Sequence, residues 1–74
     1  MHIHLDQPFA ELTAPQRRAV LAWARSHDWG GYPAQWEGTG ALRVSCLSFT
    51  PEGRNFVEYL DARTLRQLRD WAGY

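Results

Sequence analysis

Three histidines, one cysteine and a set of arginines are the side chains in this 74-residue chain best equipped for chemistry. His2, His4 and Asp6 alternate with Ile3 and Leu5, so on an extended strand two imidazoles and a carboxylate share one face. Those groups suit Zn²⁺. A metallohydrolase built on such a motif needs a far larger scaffold, so the stretch is read as an edge strand with a polar outer side. His27 is a candidate general base or ligand. No Ser or Cys nucleophile is spaced around it in a working arrangement, so it is read as a half-buried histidine favoured by the negative end of a helix. Cys46 is expected on a core face, as a small hydrophobe and not a nucleophile. The chain has no glycine-rich phosphate loop, no Cys/His zinc spacing, no paired carboxylates and no Ser-His-Asp order. No catalytic residue, cofactor or metal is therefore expected, and the chain is read as a non-enzyme.

Arg63, Arg66 and Arg69 recur at steps of three near the C-terminus. On a helix they precess by about 60° each and spread over ~120°. They form the candidate nucleic-acid surface, interrupted by Asp70, which is expected to pair with Arg66 at i,i+4. Eight basic and eight acidic residues cancel, which argues against a general polyanion binder and against an acidic nucleic-acid mimic. Every basic residue is Arg; with Ala and Gly also plentiful, this is read as base composition.

The most unusual stretch is 28–40, DWGGYPAQWEGTG, with four Gly, one Pro, two Trp and a Tyr. Aromatics on such a loop give large contact area at low side-chain entropy. Trp29, Tyr32 and Trp36, with Arg43 and Phe49, form the candidate partner-binding set. The competing reading places Trp29 and Trp36 as caps on a small core.

The elements that would position these residues follow from pattern. Thr13-Ala14-Pro15-Gln16 fits a capping box with Pro in the first turn. Ala19, Val20, Trp23, Ala24 and His27 share one side, so a helix is predicted over 14–27, before Gly30-Gly31. The stretch 41–71 reads as strand, turn, strand, helix. Thr50-Pro51-Glu52-Gly53 has the Pro and Gly of a type I turn. Pairing Phe49 with Arg54 across it puts Leu42, Val44, Cys46, Val57 and Tyr59 on the core face. Arg43, Ser45, Leu47, Phe49, Phe56, Glu58 and Leu60 then lie on a mixed face, with Arg43 near Glu58. Trp23, Val44, Val57, Leu65 and Leu68 are expected to be inaccessible. Asp61 is the expected N-cap of a helix over 62–72, carrying Leu65, Leu68, Trp71 and Ala72 on one side and ending at Gly73. Residues 32–37 are either a further strand or part of a long loop.

These readings give one α+β domain over 1–74. It holds a three- or four-stranded antiparallel sheet with one helix before and one after, in the order (β)αβββα. A chain this short has a marginal core, and a lone Cys46 rules out an intrachain disulfide. No apolar run spans a bilayer and no secretory signal is visible, so a cytoplasmic protein is expected. The functional expectation is a small interaction protein that binds and modulates a larger protein. Chains of this size include phage and mobile-element inhibitors of host machinery. The alternative is a nucleic-acid-binding regulator, and a homodimer stays open.

Overall fold

Thr13 opens the first helix as its sequence requires. Its Oγ1 accepts from Gln16 N–H at 3.3 Å, while Gln16 Oε1 accepts from Thr13 N–H at 2.9 Å. This is the reciprocal capping box, with Pro15 inside the first turn. The computed structural model describes residues 3–27 and 29–73. Its elements are a single 3₁₀ turn Phe9–Glu11, helix α1 Ala14–Arg25, strands β1 Gln35–Glu37, β2 Ala41–Phe49 and β3 Asn55–Ala62, and helix α2 Leu65–Ala72. The sheet is antiparallel, in the order β1-β2-β3. This is the α+β arrangement read from the sequence, with three strands. The helix predicted to 27 stops at Arg25, with Ser26 as C-cap.

No strand forms near the N-terminus in the described residues; His2 of the His-x-His-x-Asp pattern lies outside them. The segment is instead tied to α2. Leu5 C=O accepts from Arg66 N–H, and Asp6 takes a two-pronged bond from the Arg66 guanidinium at 2.6 and 3.1 Å. The Arg66 N–H is one of the donors a helix start leaves free, so the chain end serves as a backbone cap.

The β2–β3 register departs from the expected one by a single residue. Phe49 faces Asn55, Leu47 faces Val57, Ser45 faces Tyr59 and Arg43 faces Asp61. The cause is at the turn. Gly53 N–H bonds Thr50 C=O, Thr50 N–H bonds Arg54 C=O, and Gly53 has φ +83°. This is a type I turn followed by a left-handed glycine bulge, which adds one residue to the returning strand. A one-residue slip moves every side chain of that strand to the other face. Val57 and Tyr59 therefore lie outside, with Val57 only half-buried, while Phe56 and Leu60 turn to the helix side. Arg43 meets Asp61 and not Glu58.

The same shift changes the start of α2. Asp61 is still in β3, and Thr64 is the N-cap, its Oγ1 accepting from Gln67 N–H at 3.3 Å. Gly73 ends the helix at φ +89°, as a C-terminal glycine should. Helices and the N-terminal segment cover one sheet face. Phe9, Leu12, Val20, Ala24, Ala34, Leu42, Val44, Ala62 and Leu68 form the core, with Trp23, Trp29, Trp36, Leu65 and Trp71 half-buried against it. The molecule is 43 Å long and only 21 and 18 Å across. The outer half of the hairpin, 47–57, contains no buried residue.

Candidate functional site

The uncovered face of the sheet is built by alternation. Arg43, Ser45, Leu47 and Phe49 point outward from β2, and Asp61, Tyr59, Val57 and Asn55 are their cross-strand neighbours on β3. Gln35 and Glu37 add the same face of β1.

Ser45 is only 3% exposed although it belongs to this face. A bulge covers it. Gly30 bridges to Cys46 and Gln35 pairs with Arg43, so four residues, 31–34, span the space opposite two. The excess arches outward over Ser45. The Ser45 hydroxyl accepts from Tyr32 N–H at 2.7 Å and donates to Tyr32 C=O at 3.1 Å, replacing a missing rung of the ladder. Gly31 is needed where the arch crosses the strand: a Cβ there would stand 2.7 Å from the Ser45 carbonyl. Ala34 drops back into the core.

The arch sets the Tyr32 ring over the outer face, nearly parallel to Tyr59 at 12° with centroids 6.5 Å apart. Tyr32 is 66% exposed, Phe49 65% and Tyr59 56%. Arg43 lies beside the two tyrosines, 6.0 Å from the Tyr59 ring centroid. It donates to both Asp61 oxygens at 2.8 and 3.1 Å and sits 3.6 Å from Glu37. The Arg43 guanidinium hydrogen-bonded to Asp61 holds that carboxyl below the usual carboxylate range, and the Arg43 pKa is raised in return. A shallow cavity of about 460 Å³ opens between Arg25, Tyr32, Gln35, Arg43 and Tyr59. Arg25 is fixed there by its Nε bond to Ala34 C=O at 3.0 Å.

The five sequence-derived contact residues therefore separate into two groups. Tyr32, Arg43 and Phe49 share the exposed face. Trp36 lies on the opposite side, paired with Leu42, edge-on to Phe9 at 5.4 Å and beneath the Arg17 guanidinium at 3.9 Å. Arg17 also bonds the carbonyls of Phe9, Gly38 and Thr39, so it clamps the β1–β2 turn to α1 across that tryptophan. Trp29 is half-buried and stacks on His27, centroids 5.4 Å apart at 18°. Tyr59 is the member of the exposed face that sequence reasoning missed, because the register was displaced; Leu47 was placed on that face but not among the contact residues.

His27 sits between Trp23 and Trp29, its Nδ1 2.8 Å from Trp23 C=O. That is a packed, hydrogen-bonded ring. The Cys46 thiol lies half-buried near Ser48 Oγ at 3.5 Å and Glu58 at 3.8 Å. Among the described residues no group of three or more His, Cys, Asp or Glu is placed to hold a metal ion.

Arg63, Arg66 and Arg69 are all exposed, but only Arg66 and Arg69 lie on α2; Arg63 precedes its N-cap, so the three do not share one helix. Arg66 pairs with Asp6 and not with Asp70, because the N-terminal segment brings a carboxylate into bidentate geometry. This bond lowers the Asp6 pKa and raises that of Arg66. No described helix is long and apolar enough to cross a membrane. No family model, curated protein or solved structure matches the chain.

Proposed function

We propose that the chain is a small, non-enzymatic, cytoplasmic interaction protein that binds and modulates a larger protein through the uncovered face of its sheet. The observation that carries this reading is the exposure of Tyr32 and Tyr59 beside the Arg43–Asp61 ion pair, continued along the same face by Leu47 and Phe49. Monomeric proteins rarely leave a row of large apolar side chains in water without a use. Tyr and Arg dominate binding hot spots, and an aromatic centre with a charged rim is the usual anatomy of an interface. Arg43 is neutralised and oriented before any partner arrives, so its ordering cost on binding is small. The inhibitor reading rests on analogy of size and composition. The nucleic-acid alternative on α2 is weakened, since Asp6 already occupies the Arg66 guanidinium.

The test uses the immobilised full chain in lysate from its native host. Tyr59→Ala and Phe49→Ala alter exposed positions and should leave folding within about 0.5 kcal/mol. Both should lose the captured protein that wild type retains, while Arg63→Ala and Arg69→Ala should keep it. Capture that survives both face variants and disappears with the arginine variants or with nuclease would refute the reading in favour of its alternative.

A further inference from the structure

The outer face does not account for the free edge of β3, an eight-residue terminal strand of the sheet. The bond from Thr50 N–H to Arg54 C=O sets the phase of the hairpin ladder. Bonded and non-bonded pairs alternate in an antiparallel ladder. Phe56, Glu58, Leu60 and Ala62 thus bond β2, while Val57, Tyr59 and Asp61 turn their N–H and C=O groups outward. Leu47 N–H, which turns away from β3 to reach Trp29 C=O at 2.9 Å, obeys the same phase. Among the described residues nothing bonds those outward groups of β3.

Donors and acceptors alternating at strand spacing are complementary to one thing, another extended backbone. Over 55–62 the edge contains no Pro, no Lys and no bulge, so what discourages a wrong neighbour is the charge of Glu58 in mid-strand. Side chains decide whose strand fits. Asp61 is held by Arg43, which leaves Glu58, in mid-strand, as the edge's charge with no basic partner among the described residues; it touches the Cys46 thiol at 3.8 Å. A two-fold pairing of two copies centred on Glu58 sets carboxylate against carboxylate. Centring it on Val57 or Tyr59 sets Glu58 against Phe56 or Leu60, again with no basic residue across, and centring it on Phe56 brings Arg54 across from Glu58 but sets Tyr59 and Asp61 against the turn residues Gly53 and Pro51, leaving most of the edge unpaired. Like charges directly opposite disfavour a pairing and opposite charges favour it.

We propose that β3 accepts an extended segment of the partner protein as a fourth strand, with the pattern apolar–basic–apolar. The basic residue lies across from Glu58 and the apolar pair across from Val57 and Tyr59. The inference rests on the protein-partner reading above and names the chemistry by which the partner is recognised.

The probe is a blocked synthetic peptide, Thr-Val-Arg-Val-Thr, titrated into the isotope-labelled full chain and followed by amide NMR. Three controls accompany it: the same peptide with Glu for Arg, the Arg peptide N-methylated at alternate amides, and the variant Glu58→Lys. Saturable binding should shift and protect the amides of Val57, Tyr59 and Asp61. The Glu peptide should bind about fivefold or more weakly, the methylated one should fail, and Glu58→Lys should invert the preference between Arg and Glu peptides. The proposal is overturned if the Arg peptide leaves those amides unprotected, or if it acts only on Tyr32 and Phe49. In either case the protein-partner reading stands or falls separately, on the face variants. Protection of the β3 amides in concentrated protein alone would name a second copy as the occupant and also overturn it.

Discussion

Replacing Ser45 by Ala tests whether one hydroxyl holds the arch that displays Tyr32. Ser45 Oγ makes two hydrogen bonds to the Tyr32 backbone, at 2.7 and 3.1 Å, and the side chain is almost sealed from water. Alanine fits the space and leaves one N–H and one C=O without a protein partner. A buried backbone group deprived of its bond costs about 1–3 kcal/mol. The Tyr32 ring is exposed, so the arch can lift and admit water, which limits the two losses together to roughly 1–3 kcal/mol. For a domain of this size each kcal/mol moves Tm by about 4–8 °C, so a fall of roughly 4–24 °C is expected. Thermal denaturation followed by circular dichroism reads the total. Hydrogen exchange at the Tyr32 amide reads the site and should accelerate out of proportion to the rest of the chain. Ser48→Ala, at a half-buried position with only a weak thiol contact, is the control and should stay within about 0.5 kcal/mol of wild type. An unchanged Tm together with unchanged exchange at Tyr32 would refute the argument, since the arch would then be held by something other than Ser45.

Thr64→Ala should cost roughly 1 kcal/mol in urea denaturation, the usual loss for a helix cap, and should fray α2 in amide exchange. Thr13→Ala should cost a similar amount at α1, where the box is reciprocal. Trp36→Ala removes the edge-on contact with Phe9 and the surface under Arg17, so it should destabilise by about 2–3 kcal/mol, below the loss for a fully buried tryptophan. Asp61 should titrate below the ordinary carboxylate range, and Arg43→Ala should raise its pKa, followed through its carboxyl carbon shift. A carboxyl depressed by folding adds stability that is complete above the unfolded pKa of about 3.9 and is lost as pH falls through the folded value. The Arg43–Asp61 contribution should therefore disappear on acidification below about pH 4 and be absent from Arg43→Ala throughout.

Local signals were legible in the sequence where one short segment decides the outcome. Thr13 and Gln16 cap each other three residues apart, so α1 could be read directly. Leu65, Leu68 and Trp71 keep helical spacing and do pack on the core. The hairpin was visible too, but its register depended on whether Gly53 closes a two-residue turn or adds a bulge, and both are compatible with Thr-Pro-Glu-Gly. That single residue moved Tyr59 into the exposed face and Asp61 opposite Arg43. With Asp61 held in the strand, the role of N-cap passed to Thr64. The arch at 31–34 has no periodicity to betray it; the nearest signal was the pair Gly30-Gly31, where backbone comes close to backbone. Tyr32, Arg43 and Phe49 were singled out because their types suit contact, and the structure places all three on the uncovered face, with Tyr32 and Phe49 well exposed. Trp36 was drawn into that set on the same ground, and only the packing of Phe9 and Arg17 around it shows its structural share.

The bonds between the first and last segments also bear on the order in which the chain folds. Leu5 to Arg66, Asp6 to Arg66 and Phe9 to Arg63 join positions more than fifty residues apart. The hairpin and α1 need only local encounters, whereas these contacts close almost the whole chain into a loop and carry the greatest closure entropy. They should consolidate after the sheet, and weakening them should mainly speed unfolding while leaving the folding rate nearly unchanged. Asp6→Ala would then shorten the lifetime of the folded molecule without slowing its formation, so this domain's persistence is set at the seam where its ends meet.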